Sequence, residues 1–398
     1  MPCVVAAQNN TSSPTLTPTP THLVTTSVGA GRYSIVASAV IFNSSGTGEP
    51  LPFAYCTLKA GGALLDQTVA YTIDQATTVT LLAAANFTAT TRLTISCADP
   101  RGFASLTADY ARLQATRLGT LRQPAEGTSK AVKCPHATFA SIPCAIQVQT
   151  STPVAIGGSP TPVATVELEP GLYTMIGRVA FRATSSGSAN VACMSDNAVI
   201  GLSEGTAFVL QGKTAALSLG TSFALGASPQ PVEVTCSLLG GPQATVASVR
   251  LTIVRVATLV RATGAQAKCP LKRTTVPCAI TAQGGASTLT STHSVVAEAK
   301  VAAGDYVVSA AVSVESDDPA GGFHFVDCAL VTGAGEFGGA FEVVGGQGAT
   351  LFMLDVHTNG KKADVTLSCA DDSGSGQLSV TEAEITATRV GSLSSIGS

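Results

Sequence analysis

Gly304-Asp305-Tyr306-Val307-Val308-Ser309-Ala310-Ala311-Val312-Ser313-Val314 decides the fold of this chain. Tyr306, Val308, Ala310, Val312 and Val314 fall on one parity, and the other carries Ser309 and Ser313. A period of two over this length marks a β-strand with one face on a core. The pattern recurs after Gly171-Leu172-Tyr173, where Met175, Gly177, Val179 and Phe181 share the parity of Tyr173 and Arg178 and Arg182 take the other. It recurs again after Gly31-Arg32-Tyr33, with Ile35, Ala37, Ala39 and Ile41.

Working outward, the neighbouring landmarks repeat in the same order. A cysteine lies in a short apolar run at Ala54-Tyr55-Cys56, Val191-Ala192-Cys193 and Val326-Asp327-Cys328. A second ends an alternating strand at Leu93-Thr94-Ile95-Ser96-Cys97, Val232-Glu233-Val234-Thr235-Cys236 and Val365-Thr366-Leu367-Ser368-Cys369. Each copy closes on Ala115-Thr116-Arg117, Ile253-Val254-Arg255 or Ala387-Thr388-Arg389. Pro143-Cys144-Ala145-Ile146 reappears as Pro277-Cys278-Ala279-Ile280, each preceded by Lys-Cys-Pro at Lys133-Cys134-Pro135 and Lys268-Cys269-Pro270. These are three diverged copies of one unit, over 1–122, 133–261 and 268–398. Short half-buried strands without any helical period make the fold all-β: three tandem antiparallel β-sandwich, jelly-roll-like domains clipped by disulfides. Leu121 to Lys133 and Arg261 to Lys268 read as linkers. The Ser/Thr/Pro tract after Pro-Cys recurs inside each copy, as Thr11 to Pro20, Ser151-Thr152-Pro153 and Ser287 to Thr290, and therefore reads as an intradomain loop or edge strand.

Eleven cysteines in a chain with 12% charged residues and five scattered histidines point to an oxidising compartment. Metal sites would call for Cys-x2-Cys pairs or adjacent histidines. The expected disulfides are Cys56–Cys97, Cys193–Cys236 and Cys328–Cys369, with Cys134–Cys144 and Cys269–Cys278 as clips at the domain entrance. On the chain-entropy view each long loop restricts the unfolded chain by about 4 kcal/mol. Cys3, in Pro2-Cys3-Val4-Val5, is unpaired or intermolecular, because its upstream Cys-Pro would precede Met1. Two explanations stay open. The natural protein continues upstream with that motif and an export signal, or the first copy is completed by a neighbouring molecule in a head-to-tail assembly.

A net charge of −3 gives no basic footprint for nucleic acid. No apolar run approaches the ~18–20 residues of a membrane span. Met1 to Gln8 lacks the charged start and long apolar core of a signal peptide. No nucleophile elbow, zinc-protease helix or phosphate loop is present, so the chain is read as a non-enzyme without cofactor or metal. Asp317-Asp318 and Asp371-Asp372 offer carboxylates that would suit Ca²⁺, but neither pair recurs and both read as solvated turns. His324 and His357 read as core or surface histidines. Arg117, Arg255 and Arg389 recur with inward parity and read as caps that pair with carbonyls or a carboxylate. Asn10-Thr11-Ser12, Asn43-Ser44-Ser45 and Asn86-Phe87-Thr88 are glycosylation sequons.

Gly304-Asp305-Tyr306 opening an alternating strand, with Ala383-Glu384-Ile385-Thr386-Ala387 closing the copy, resembles the bacterial versions of the C1q/TNF-like jelly roll. The resemblance implies recognition, adhesion or assembly through surfaces, often as trimers. The chain departs from that family in lacking a collagen-like stalk, in its tandem units and in its disulfides. An immunoglobulin-like sandwich is the rival, without the Trp that packs on its disulfide. The expected function is that of an extracellular or cell-surface structural or adhesive repeat protein, self-associating or bound to a neighbouring surface protein, as in a filament. The alternative is a secreted carbohydrate-recognition module with glycan as partner, served by only six Tyr.

Overall fold

The computed structural model describes residues 3–9, 13–44, 52–72, 76–102, 105–124, 131–134, 143–183, 187–196, 203–209, 211–241, 243–262, 269, 277–332, 335–359 and 362–396. The first copy contributes β1 (Cys3–Asn9), β2 (Thr21–Val28), β3 (Gly31–Asn43), β4 (Phe53–Ala60), β5 (Ala63–Tyr71), β6 (Ala76–Phe87), β7 (Thr91–Ala98) and β8 (Leu106–Leu118), followed by a tail strand β9 (Thr120–Arg122). The second runs through β10 (Cys144–Thr150), β11 (Val154–Ile156), β12 (Thr161–Leu168), β13 (Gly171–Ala183), β14 (Ala189–Asp196), β15 (Ser203–Val209), β16 (Thr214–Leu225), β17 (Gln230–Gly240) and β18 (Ala244–Val256), with tail β19 (Thr258–Ala262). The third holds β20 (Cys278–Gly284), β21 (Ser287–Thr288), β22 (Ser294–Val301), β23 (Gly304–Ser316), β24 (Phe323–Thr332), β25 (Gly335–Val344), β26 (Gly348–Asn359), β27 (Ala363–Asp371) and β28 (Leu378–Val390), with tail β29 (Ser392–Ile396).

Within the first copy the sheets have orders β1-β8-β3-β6 and β2-β7-β4-β5, and the same orders recur in the other two. Two four-stranded antiparallel sheets so connected form a jelly roll. The inward parity read from the sequence meets the opposite sheet. Tyr33, Ile35, Leu81 and Leu113 face Leu58, Leu93 and Ile95 in the first core. In the third, Tyr306, Val308 and Ile385 face Val326, Leu330 and Leu367. Burial of each such side chain contributes roughly 1.5–3 kcal/mol.

Cys56 and Cys97 are joined across β4 and β7 as direct register partners, with Cα atoms 4.1 Å apart. Cys193–Cys236 and Cys328–Cys369 repeat that geometry, and Cys134–Cys144 and Cys269–Cys278 link each entering segment to the first strand. The long-loop bonds tie neighbours within one sheet. An immunoglobulin disulfide ties two sheets together, so this arrangement separates the folds.

The Ser/Thr/Pro tracts run along the closing strands rather than between copies. Val154–Ile156 pairs with β18, Ser287–Thr288 with β28, and Thr15 bridges Thr107. The segments read as linkers begin as strands instead. β9 pairs in parallel with β10 of the second copy, β19 with β20 of the third, and β29 returns to β1 of the first, Cys3 opposite Ser392. The three copies therefore close into a ring within one chain. The edge that a head-to-tail assembly would offer to a neighbour is occupied by the chain's own tail.

Candidate functional site

The ring places the outer faces of the three β1-type sheets against one another, around a pseudo-threefold axis. Cyclic contacts bind it: β5 packs on β16, β15 on β26 and β25 on β6. At the centre Val36, Leu82, Phe352 and Leu354 form an apolar plug with Ile176 and Ala311. Gly220 makes room for it, since a Cβ there would lie 3.1 Å from the Phe352 ring. The plug separates two recesses. One, of about 150 Å³, is lined by Thr68, Thr78, Thr80, Thr206, Thr214 and Thr350, and another of about 70 Å³ by Ser34, Thr174, Val307 and the prolines Pro143 and Pro277.

The parity read as solvent-facing is thus largely interior. Arg178, Ser38 and Ser313 are buried, whereas Arg182 is exposed as its parity suggests. The difference lies in tertiary packing, because a sheet covered on both faces leaves its polar side chains to be satisfied inside the protein, either within their own copy, as for Ser313, or by the next one, as for Arg178.

Each junction does this differently. Between the third and first copies Arg112 pairs with Asp355, whose other carboxylate oxygen accepts from Thr332 Oγ1 at 2.8 Å. Gln114 Nε2 donates to the Asp355 carbonyl at 2.7 Å, and Thr78 Oγ1 to the Ala340 carbonyl at 3.0 Å. The Arg112 guanidinium lies 4.5 Å from the Phe337 ring centroid, and burial draws its pKa down to about 10, so it stays charged at neutral pH. Tyr110, at φ 46° in a bulge of β8, turns its ring edge-on to Phe337. A bulge that re-aims one side chain has this use.

Between the first and second copies Asp66 accepts from Arg178 Nη2 at 2.7 Å and lies 3.3 Å from Arg250 Nε. Its second oxygen accepts from the Leu82 amide at 2.8 Å. Burial lowers the Arg178 pKa, and Asp66 opposes that shift. Between the second and third copies the links are uncharged: Ser222 and Thr386 hydroxyls meet at 3.1 Å, and the Thr206 amide donates to Thr350 Oγ1 at 2.9 Å. Beside them Glu384 is buried, and burial pushes its carboxyl up to about 7 against the hydroxyls of Thr281 and Thr386.

The sequence offered one signal for this set. A carboxylate within Leu351-Phe352-Met353-Leu354-Asp355-Val356 must be buried and paired if the run is a strand. Asp66, Arg112 and Arg250 stood in no motif, and Glu384 only in the closing-strand pattern.

Of the recurring arginines, Arg255 caps its sandwich, whereas Arg117 is exposed despite its inward parity. Arg117, Arg255 and Arg389 are register partners of Tyr33, Tyr173 and Tyr306. Arg255 donates to the carbonyls of Cys134 and Pro170. The glycine of each Gly-x-Tyr lies beneath them: a Cβ on Gly31, Gly171 or Gly304 would come within 2.9–3.2 Å of the arginine Nε. His357 is buried against Tyr306, ring centroids 6.0 Å apart, and its pKa falls through burial. Asp318 and Asp371, read as lying in solvated turns, meet in one loop cluster through His324 and Ser373, and Asp371 is fully buried there. Their oxygens are taken by local donors: Ala320, Gly322 and His324 for Asp318, and Ser373, Ser375 and Gly376 for Asp371. Among the described residues no three His, Cys, Asp or Glu side chains are placed to hold a metal. None of the described elements is a helix long and apolar enough to cross a membrane. Cys3 is half-buried and unbonded. Of the sequons, Asn43 is buried, Asn86 is exposed, and Asn10 lies outside the described residues.

No protein-family model matches the chain, and no curated protein does. Among solved structures it is similar to the triple jelly roll of an archaeal virus turret assembly, at 10% identity over 96% of this chain and 86% of that one, TM-score 0.20. A subviral particle of VP2 from infectious bursal disease virus gives 10% identity over 97% and 80%, TM-score 0.23. A disulfide-linked pilus subunit of Bacillus endospore appendages gives 12% over 32% and 97%, TM-score 0.20. With TM-scores this low, the jelly-roll assignment stands on the strand order of each copy.

Proposed function

We propose that the chain is a non-enzymatic structural subunit of an extracellular surface assembly, its three jelly rolls acting as one rigid building block. The closed ring carries this reading. It consumes the tail strands, the β6-type edges and one face of every large sheet in internal contacts, and it leaves the β2-type sheets as the outer wall. The outer edges of that wall, β2, β12 and β22, each carry a β-bulge at the same register, between His22 and Val24, Pro162 and Ala164, and Val295 and Ala297, and Val132 covers the end of β12. Bulged edges discourage strand addition. Assembly therefore proceeds through faces, where Tyr55, Val295 and Phe323 are exposed, and not through strand donation along a filament. Five disulfides suit an oxidising exterior.

Sedimentation and electron microscopy of the purified chain at rising concentration test this. Ordered sheets or shells of ring-shaped subunits are expected. A single 39.8 kDa species at every concentration, with specific binding on a glycan array, would overturn the proposal and favour carbohydrate recognition.

A further inference from the structure

A recess of about 270 Å³ opens between the first and second copies, lined by Arg178, Arg250, Asp66, Thr68, Gln149 and Ser248, with the 41% exposed Tyr55 at its rim. Its charges do not balance. Arg178 is 4% exposed and the Arg250 side chain 17%, while Asp66, 2% exposed, is the one carboxylate among the described lining residues. Two guanidiniums on one carboxylate leave one positive charge in surplus. Arg178 and Arg250 are moreover direct cross-strand partners on β13 and β18, a placement that is unfavourable for like charges.

The other copies show that the fold does not require this. The register equivalents of Arg178 and Arg250 are Ser38 and Arg112 on β3 and β8, and Ala311 and Glu384 on β23 and β28. There Arg112 meets Asp355 one to one. In the second copy, Asp66 is shared and the buried Arg178 Nε has no protein partner. Arg250 Nη1 is taken by the Leu65 and Leu82 carbonyls at 2.9 and 3.3 Å, which leaves Arg250 Nη2 and Arg178 Nε as donors for an oxyanion, with Thr68, Gln149 and Ser248 as neutral donors around them.

From this geometry we infer that the recess is a binding site for one small divalent oxyanion of the phosphate or sulfate class, held by Arg178 and Arg250. The ligand is the inorganic ion or the same group borne on a larger molecule. The site spans two copies, so occupancy clamps that junction. It does not depend on whether the chain assembles.

Calorimetry and thermal unfolding of the full chain with sodium phosphate and sodium sulfate, against sodium chloride at equal ionic strength, test it. One saturable site and a rise in unfolding temperature beyond the chloride control are expected. Arg250→Gln leaves the one-to-one Arg178–Asp66 pair but removes the Arg250 bonds to the Leu65 and Leu82 carbonyls, so oxyanion effects on this variant are read against its own unfolding temperature in chloride. Its oxyanion affinity should fall about tenfold to a hundredfold, from loss of charged hydrogen bonds. Competition by a sulfated or phosphorylated monosaccharide that binds more tightly than the free ion would assign the group to a larger ligand. No oxyanion-specific effect on the parent chain, or an equal effect on Arg250→Gln, overturns the inference.

Discussion

Replacing Glu384 with Gln isolates the most consequential buried ionisation in the ring. Glu384 lies on β28 with 5% of its surface exposed, accepting from Thr281 Oγ1 at 2.9 Å and Thr386 Oγ1 at 3.1 Å. Burial is the dominant cause of its raised pKa, Glu382 adds to it, and Arg261 with the two hydroxyls opposes it. The carboxyl moves from an ordinary 4.5 to about 7. Between those values the folded chain keeps a proton that the unfolded chain has lost, so stability falls as pH rises. The contribution is fully present below pH 4.5 and gone once pH passes about 7. At 1.36 kcal/mol per pKa unit, the loss is about 3 kcal/mol.

Gln keeps the shape and both hydroxyl contacts and never ionises. Glu384→Gln should therefore match the parent at pH 4.5 and exceed it by about 3 kcal/mol at pH 8. Denaturant midpoints across that range measure the difference, and contributions from other groups, such as His357, cancel between the two proteins. Parallel curves, or a variant weaker at pH 8, would show that the carboxylate is stabilised in the fold after all.

Asp355→Ala leaves Arg112 buried without its counter-ion and should cost about 3–5 kcal/mol, whereas Arg112→Met with Asp355→Leu should recover most of that; chemical denaturation that finds under 1 kcal/mol for the single variant refutes the pair's role. Ser392→Cys puts a thiol at the register position of Cys3. The ring predicts an intramolecular bond and a monomer on a non-reducing gel, and two free thiols or a disulfide-linked dimer contradict closure by β29. Tyr306→Ala should lower stability by roughly 2–4 kcal/mol through cavity formation, read as a shifted denaturation midpoint, and an unchanged midpoint contradicts its place in the core.

What the sequence made legible followed from local periodicity. Tyr306 to Val314 alternates because one face meets a core, and that alternation repeats with its cysteines, so strand and sandwich could be read directly. The second face could not. Ser313, Ser38 and Arg178 look like solvent residues, yet all three are buried in the ring, and Arg178 is paired across a junction. The partner of Arg178 is Asp66, 112 residues away, and Gln114 bonds to a carbonyl 241 residues away, with no motif at either end. The tails were missed for a different reason. Thr120–Arg122 is too short to alternate, and its parallel pairing is decided by the next copy.

One chain in place of three also explains why the junctions differ. In a symmetric trimer any residue near the axis occurs three times, so an Arg at the Arg250 position would gather three cations in a low-dielectric interior. Covalent fusion lifts that constraint. The position carries Arg112, Arg250 and Glu384 in turn, and each finds its own solution: a carboxylate from the third copy, a shared carboxylate from the first, and two hydroxyls within its own copy. The apolar plug diverges in the same way, with Gly220 receding where Leu82 and Leu354 fill. A ring with three unlike junctions has a preferred order, because exchanging the second and third copies would set Glu384 against Asp66. Specificity of closure is thus written in the charges that the repeats do not share.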